Sequence, residues 1–180
     1  QMETLKRLNA EREQRLKQNA KRARVDYKRF CSAQNQASMR VMFYSEQSGF
    51  YKYFENIIRA LLEKSDDLIA HYVTSDPDDA VFALGNARIA AYYVDEKRLI
   101  PLMMKVESDI VVMTVPDLEK YHIKRSRVRP DVEYIYTDHG GTSLNLTYRA
   151  GALDAFDTIF AVNESQVREV RQMEQLRHVK

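Results

Sequence analysis

Six strand-length runs rich in β-branched and aromatic residues recur along the chain: RVMFYS, LIAHYVT, RIAAYYV, DIVVMT, EYIYT and DTIFAV. Several lack the polar alternation of a sheet with one wet face. Such runs belong to strands covered on both sides, the usual condition of a parallel sheet. The segments between them supply covers. YKYFENIIRALLEKS places Phe54, Ile57, Ile58, Leu61 and Leu62 at helical spacing. KRLIPLMMKVES predicts a short helix despite Pro101, and Asp76-Pro77 reads as a further helix start, with Asp76 as its cap. NESQVREVRQMEQLR opens on a capping-box pattern, Asn163 to Gln166. The expected architecture is α/β: a Rossmann-like, doubly wound parallel sheet of about six strands over residues 39–180.

Ahead of it runs METLKRLNAEREQRLKQNAKRARVDYKRF, free of Gly and Pro and thinly apolar. It predicts a solvated helix or a partly disordered arm, with CSAQNQAS (Cys31 to Ser38) as the linker, so that residues 1–38 form a separate basic appendage. Residues 1–30 hold ten Lys/Arg against four Asp/Glu, whereas the remainder holds eighteen against twenty-two. A basic end on a mildly acidic body suggests attachment to anionic lipid or an acidic partner. The basic residues are not interleaved with aromatics, which argues against a base-stacking nucleic-acid surface. No stretch of about eighteen apolar residues is present to span a membrane. The lone Cys31 excludes an internal disulfide, and the four histidines lack metal-ligand spacing, so neither metal nor cofactor is expected.

In a sheet of this kind ligands gather beyond the carboxyl ends of the strands. Those ends read Ser45-Glu46-Gln47-Ser48-Gly49, Thr74-Ser75-Asp76, Asp95, Thr114-Val115-Pro116-Asp117, Asp138-His139-Gly140-Gly141-Thr142-Ser143 and Asn163-Glu164-Ser165. Helix capping accounts for much of this polarity. It does not account for His139. Gly140 and Gly141 let a ligand approach the backbone, Thr142 and Ser143 add hydroxyls, and a helix starting there would turn free amides toward an anion. Ser48 and Gly49 would line the neighbouring loop. An imidazole, which titrates near neutral pH, suits proton abstraction from an attacking hydroxyl. The competing reading is a plain glycine turn with an exposed histidine, since this is neither a dinucleotide fingerprint nor a Walker loop. His71 sits within a strand as a core or edge residue. The basic YHIKRSRVRPD segment is either a solvated crossover or a source of charge, Lys124 and Arg125, for a phosphate chain at the same rim.

MTVPDLEKYHIKRS, a strand, and then HGGTSLNLTYRAGALDAFDTIFAVNESQVREVR resemble the amino-terminal half of the CDP-glycerol glycerophosphotransferase family, with RVMFYSEQSGFYKYFENIIRALLE and HYVTSDPDD resembling its first two strand-helix units. The resemblance implies half of a GT-B architecture, whose donor-binding second domain is not represented in these residues and without which transfer is not expected. It implies His139 as the catalytic base and a lipid-linked or polymer acceptor at the inner face of the cell membrane. Gly141 stands where the family pattern has Thr, and Leu144 and Asn145 replace a basic residue, marking a divergent branch. Two alternatives stand beside it: a non-catalytic module for anionic lipid or phosphorylated polymer, and a nucleotide-sugar glycosyltransferase or epimerase of GT-B type.

Overall fold

The structure, a computed structural model, describes residues 2–33 and 39–178. Six strands form one all-parallel sheet: β1 (Arg40–Ser45), β2 (Ile69–Thr74), β3 (Ile89–Tyr93), β4 (Ile110–Met113), β5 (Glu133–Thr137) and β6 (Thr158–Phe160), in the order β3-β2-β1-β4-β5-β6. The order reverses between β1 and β4, the switch point of a Rossmann-like fold. Helices α1 (Met2–Ala33), α2 (Tyr51–Lys64), α3 (Glu96–Met104), α4 (Leu144–Thr147) and α5 (Glu164–Arg177) complete the fold.

Strand side chains alternate between two cores, which is why both faces had to be apolar. Val41, Phe43, Tyr72, Val112 and Ile135 pack with Phe54 and Ile58 of α2. Met42, Tyr44, Val111, Met113, Tyr134 and Tyr136 pack on the other side with Phe30 of α1, Leu99, Leu102 and Met103 of α3, and Leu144. This two-sided cover is what the apolar runs required.

Two crossovers depart from the helix-per-strand expectation. Between β2 and β3 there is only a 3-10 helix, Ala80–Ala83, capped by Asp79, whose carboxylate accepts from Val81 N–H. Asp76 is not the cap there; its carboxylate accepts from Asp78 N–H and, across the rim, from Ser48 N–H at 3.2 Å. Between β4 and β5 the chain runs back without a helix. Asp117 and Glu119 take positive φ, 64° and 68°, and two prolines flank the segment, a backbone no helix accommodates.

The amino-terminal helix is only half an arm. Residues 2–18 are exposed, but Ala23, Asp26 and Phe30 are buried. Phe30 packs edge-on against Tyr92 at 5.3 Å and against His71 at 6.1 Å. Asp26 accepts from the Tyr93 N–H at 2.9 Å, and Arg29 donates to the Ala91 carbonyl. These side chains occupy hydrogen-bonding groups on the free edge of β3, the position where an unprotected strand would pair with another chain. Residues 19–33 thus belong to the domain, beyond the boundary drawn at residue 38. Cys31–Ala33 of the expected linker are helical, and residues 34–38 lie outside the described residues. No described helix is long and apolar enough to cross a membrane.

Candidate functional site

His139 stands on the carboxyl-end rim of the sheet, two residues past the end of β5. Its ring lies 5.3 Å from Phe50 and 5.5 Å from Tyr53, both at the start of α2. α2 follows β1, and β4 lies between β1 and β5. The contact therefore bridges the end of β4 at the switch point. Half-buried, His139 has its Nδ1 walled in without a hydrogen-bond partner. The loop of Ser48 and Gly49, exposed and with Gly49 at φ 86°, leads directly into Phe50. Ser48, Gly49 and His139 thus share one rim.

The glycine turn is held from within. Asp138, 6% exposed, accepts from Gly141 N–H at 2.7 Å and from the Gln166 side-chain amide at 2.8 Å. Burial alone would raise the Asp138 carboxyl; the Gln166 amide, the Gly141 and Gly140 N–H groups and the adjacent His139 outweigh it and leave the pKa below the ordinary carboxylate value. The same Gln166 amide reaches the Thr142 carbonyl at 2.7 Å, while its oxygen accepts from Val162 N–H at 2.9 Å. Gln166 N–H in turn donates to Asn163 Oδ1 at 2.9 Å, as the capping-box pattern predicts. One glutamine on α5 therefore fixes both the HGG turn and its own helix start. Gly141 needs its glycine for φ 65°; Gly140 does not adopt positive φ.

The helix expected after the turn is a single turn, Leu144–Thr147. Its first amides already have anionic company. Glu169 of α5 accepts from Leu144 N–H at 2.6 Å and from Asn145 N–H at 3.4 Å, and Ser143 Oγ accepts from Leu146 N–H at 3.3 Å. The Ser143 hydroxyl and these amides hold the Glu169 pKa below its usual value. Internal carboxylates thus take the amides of Gly140, Gly141, Leu144 and Asn145 and the Ser143 hydroxyl, so the turn's donors are already engaged by the protein's own groups. The Thr142 hydroxyl is paired with that of Thr147 at 3.0 Å.

Lys124 and Arg125 are not brought to this rim. Arg125 donates to the carbonyls of Val132 at 2.9 Å and Ala155 at 2.8 Å and pairs with Asp157 at 2.9 Å. Val132 and Asp157 immediately precede β5 and β6, so the guanidinium sits at the opposite end of the sheet, over the Tyr134 ring at 4.6 Å. Lys124 donates to the Glu119 carbonyl at 2.7 Å. The irregular β4–β5 crossover carries both away from the strand ends, which a count of basic residues does not reveal. His71 is buried; Nδ1 meets the Tyr92 hydroxyl at 3.1 Å and the ring stacks on Tyr92.

Sequence reasoning missed Thr114, Tyr72 and the aromatic start of α2. Thr114 and Tyr72 are fully buried, and neither hydroxyl has a hydrogen-bond partner. The signal for Thr114 was present in its place at a strand end; nothing in the sequence singles out Tyr72 among eleven tyrosines.

The fold and rim define a Rossmann-like α/β domain with an imidazole at the carboxyl-end rim of its sheet. Comparison with protein-family models, curated proteins and solved structures finds no match. The likeness to the glycerophosphotransferases therefore rests on the residues quoted for it.

Proposed function

We propose that this chain is the acceptor-side domain of a transferase that moves glycerol phosphate, or a related polyol phosphate, from a CDP-linked donor to a membrane-linked polymer. The observation that carries the reading is the place of His139: on the strand-end rim, against Phe50 and Tyr53, over the switch point. The HGG segment's resemblance supplies the reaction class. With Nδ1 enclosed, Nε2 is the nitrogen that takes the proton. The acceptor hydroxyl oxygen bonds to the β-phosphorus of the donor, the bond from that phosphorus to the bridging oxygen breaks, CMP leaves with the electron pair, and the hydroxyl proton passes to His139. Catalysis of this kind is positioning and charge stabilisation. The donor would be held by a second domain, and the acceptor at the inner membrane face.

The test is CMP release from CDP-glycerol with a lipid-linked acceptor, using the full-length parent of this chain. His139→Ala is expected to lower the rate roughly 10²–10⁴-fold, the range for loss of a general base. An unaltered rate removes His139 from the mechanism, and turnover of a nucleotide sugar in place of CDP-glycerol moves the assignment to a glycosyltransferase or epimerase.

One observation favours a second reading, a binding module without catalysis. The exposed half of α1, joined to the body through Arg15 and Asp78, is basic and exposes Leu5, Leu8 and Leu16, the makings of an interfacial helix. Salt-sensitive sedimentation with anionic liposomes that survives His139→Ala, but not deletion of residues 2–18, would support it.

A further inference from the structure

The 3-10 helix, α3, α4 and α5 each begin on a residue whose side chain accepts from the first turn: Asp79, Asp95, Ser143 and Asn163. α2 begins on Phe50, and no side chain caps it. Ser48 N–H, just upstream, already has Asp76. A 14-residue helix with uncapped amides presents positive charge at its start. That alone is not a site.

Buried polar atoms on the same side of the sheet make it one. Three buried polar atoms without a hydrogen bond lie on this side of the sheet: Tyr72 Oη, Thr114 Oγ1 and His139 Nδ1. Tyr72 lies under the turn, its ring 5.7 Å from Tyr51 and 5.9 Å from Phe54. His139 lies beside it, against Phe50 and Tyr53. Thr114 follows Met113, the register partner of Tyr44 on β1 and Tyr136 on β5. It therefore ends the strand spanned by the Phe50–His139 contact. Val112 packs with the α2 core and Val115 with the opposite one, so Thr114 falls on the α2 side. Buried polar groups are paired as a rule, so each exception asks for a reason. Unpaired donors thus gather beside an uncapped helix start, the combination that suits an anion.

We infer that the first turn of α2, beside the β1–β4 switch point, seats the phosphate of a phosphate ester bearing hydroxyl groups. The helix amides and Lys52 provide the positive field, and the hydroxyls of Thr114 and Tyr72 and the Nδ1–H of His139 donate to the phosphate oxygens. Asp76, already at Ser48 on the flanking loop, accepts from the ester's hydroxyls. Because Asp138 already holds the HGG turn and Glu169 the amides of the short helix after it, α2 and not that turn carries the phosphate. A proton on Nδ1 leaves Nε2 free to act as a base. The inference rests on the reading of this rim as the ligand rim and gives that rim's ligand a chemical class.

The test is a titration of the 180-residue chain, followed by its backbone amide resonances, with glycerol 3-phosphate, inorganic phosphate and glycerol. Saturable shifts of Gly49, Phe50, Tyr51 and Lys52 are expected with both phosphates, tighter binding with the ester, and none with glycerol. Thr114→Val, close in shape, should weaken ester binding about 2–12-fold, the worth of one hydrogen bond, and Thr114→Ser should restore it. Unsaturable shifts spread over lysines and arginines, shifts confined to Leu144 and Asn145, or full affinity in a folded Thr114→Val protein would overturn the assignment. If the ester binds at α2 while the parent protein transfers no glycerol phosphate, the transferase reading falls and the phosphate seat stands. If transfer proceeds with no response at α2, the seat falls instead.

Discussion

The His139 ring packs 5.3 Å from the Phe50 ring, tying the loop after β5 to the helix after β1. The two elements come from either side of β4, and their contact roofs the point where strand order reverses. A ring held this way keeps its place without a carboxylate partner: Asp138, next in sequence, is directed to Gly141 and Gln166 instead. Orientation of the imidazole comes from aromatic packing, and orientation of the glycine turn from Asp138.

The two glycines of that turn should respond differently to an added methyl. Gly141→Ala meets no neighbour closer than 3.9 Å, but the residue sits at φ 65°. The left-handed conformation costs about 1–2 kcal/mol for a side-chain-bearing residue, and urea unfolding should show that loss. Gly140→Ala has no positive φ and meets Thr142 Oγ1 at 3.4 Å, so its stability should stay within about 0.5 kcal/mol of the parent, the range of an ordinary surface change. Equal losses would mean the turn is not the one described.

The carboxyl-terminal half of α1 should prove integral to the domain. Phe30→Ala removes a fully buried ring between His71 and Tyr92 and should cost about 3–5 kcal/mol. Deletion of residues 2–18, all exposed, should leave the urea midpoint nearly unchanged. A midpoint insensitive to Phe30→Ala would show that the helix is a detached arm.

Stability should fall as pH drops below about 6.5, and His71 should be part of the reason. Burial, aided by Arg40, lowers the His71 pKa from 6.5. The unfolded chain then takes up a proton at a pH where the folded chain does not. The folded state loses ground from the unfolded pKa downward until the folded pKa is reached. His71→Phe should flatten this slope in unfolding experiments between pH 7.5 and 5.5. An identical slope would assign it to other groups.

The sheet was legible because burial on both faces forces long apolar runs, and all six strands stand where those runs lie. The helix starting at Asn163 was legible from its cap. The β2–β3 cover was not: Asp76-Pro77 looks like a helix start, yet the Asp76 carboxylate is held by the β1–α2 loop and the cap falls to Asp79. Arg125 and Lys124 were misplaced because charge in a crossover gives no hint of the direction in which the chain runs. His139 was visible as a residue that capping could not explain. Thr114 stood in view as a strand-end residue, but that its hydroxyl and that of Tyr72 lack partners leaves no trace in sequence.

The grip of Asp26 and Arg29 on β3 has a practical corollary. A protease that cut between Ala23 and Phe30 would strip the border strand of its guard and leave a bare ladder of amides and carbonyls facing water. Such nicked molecules would be expected to associate margin to margin, so intactness of a helix far from the crevice governs whether the protein stays dispersed.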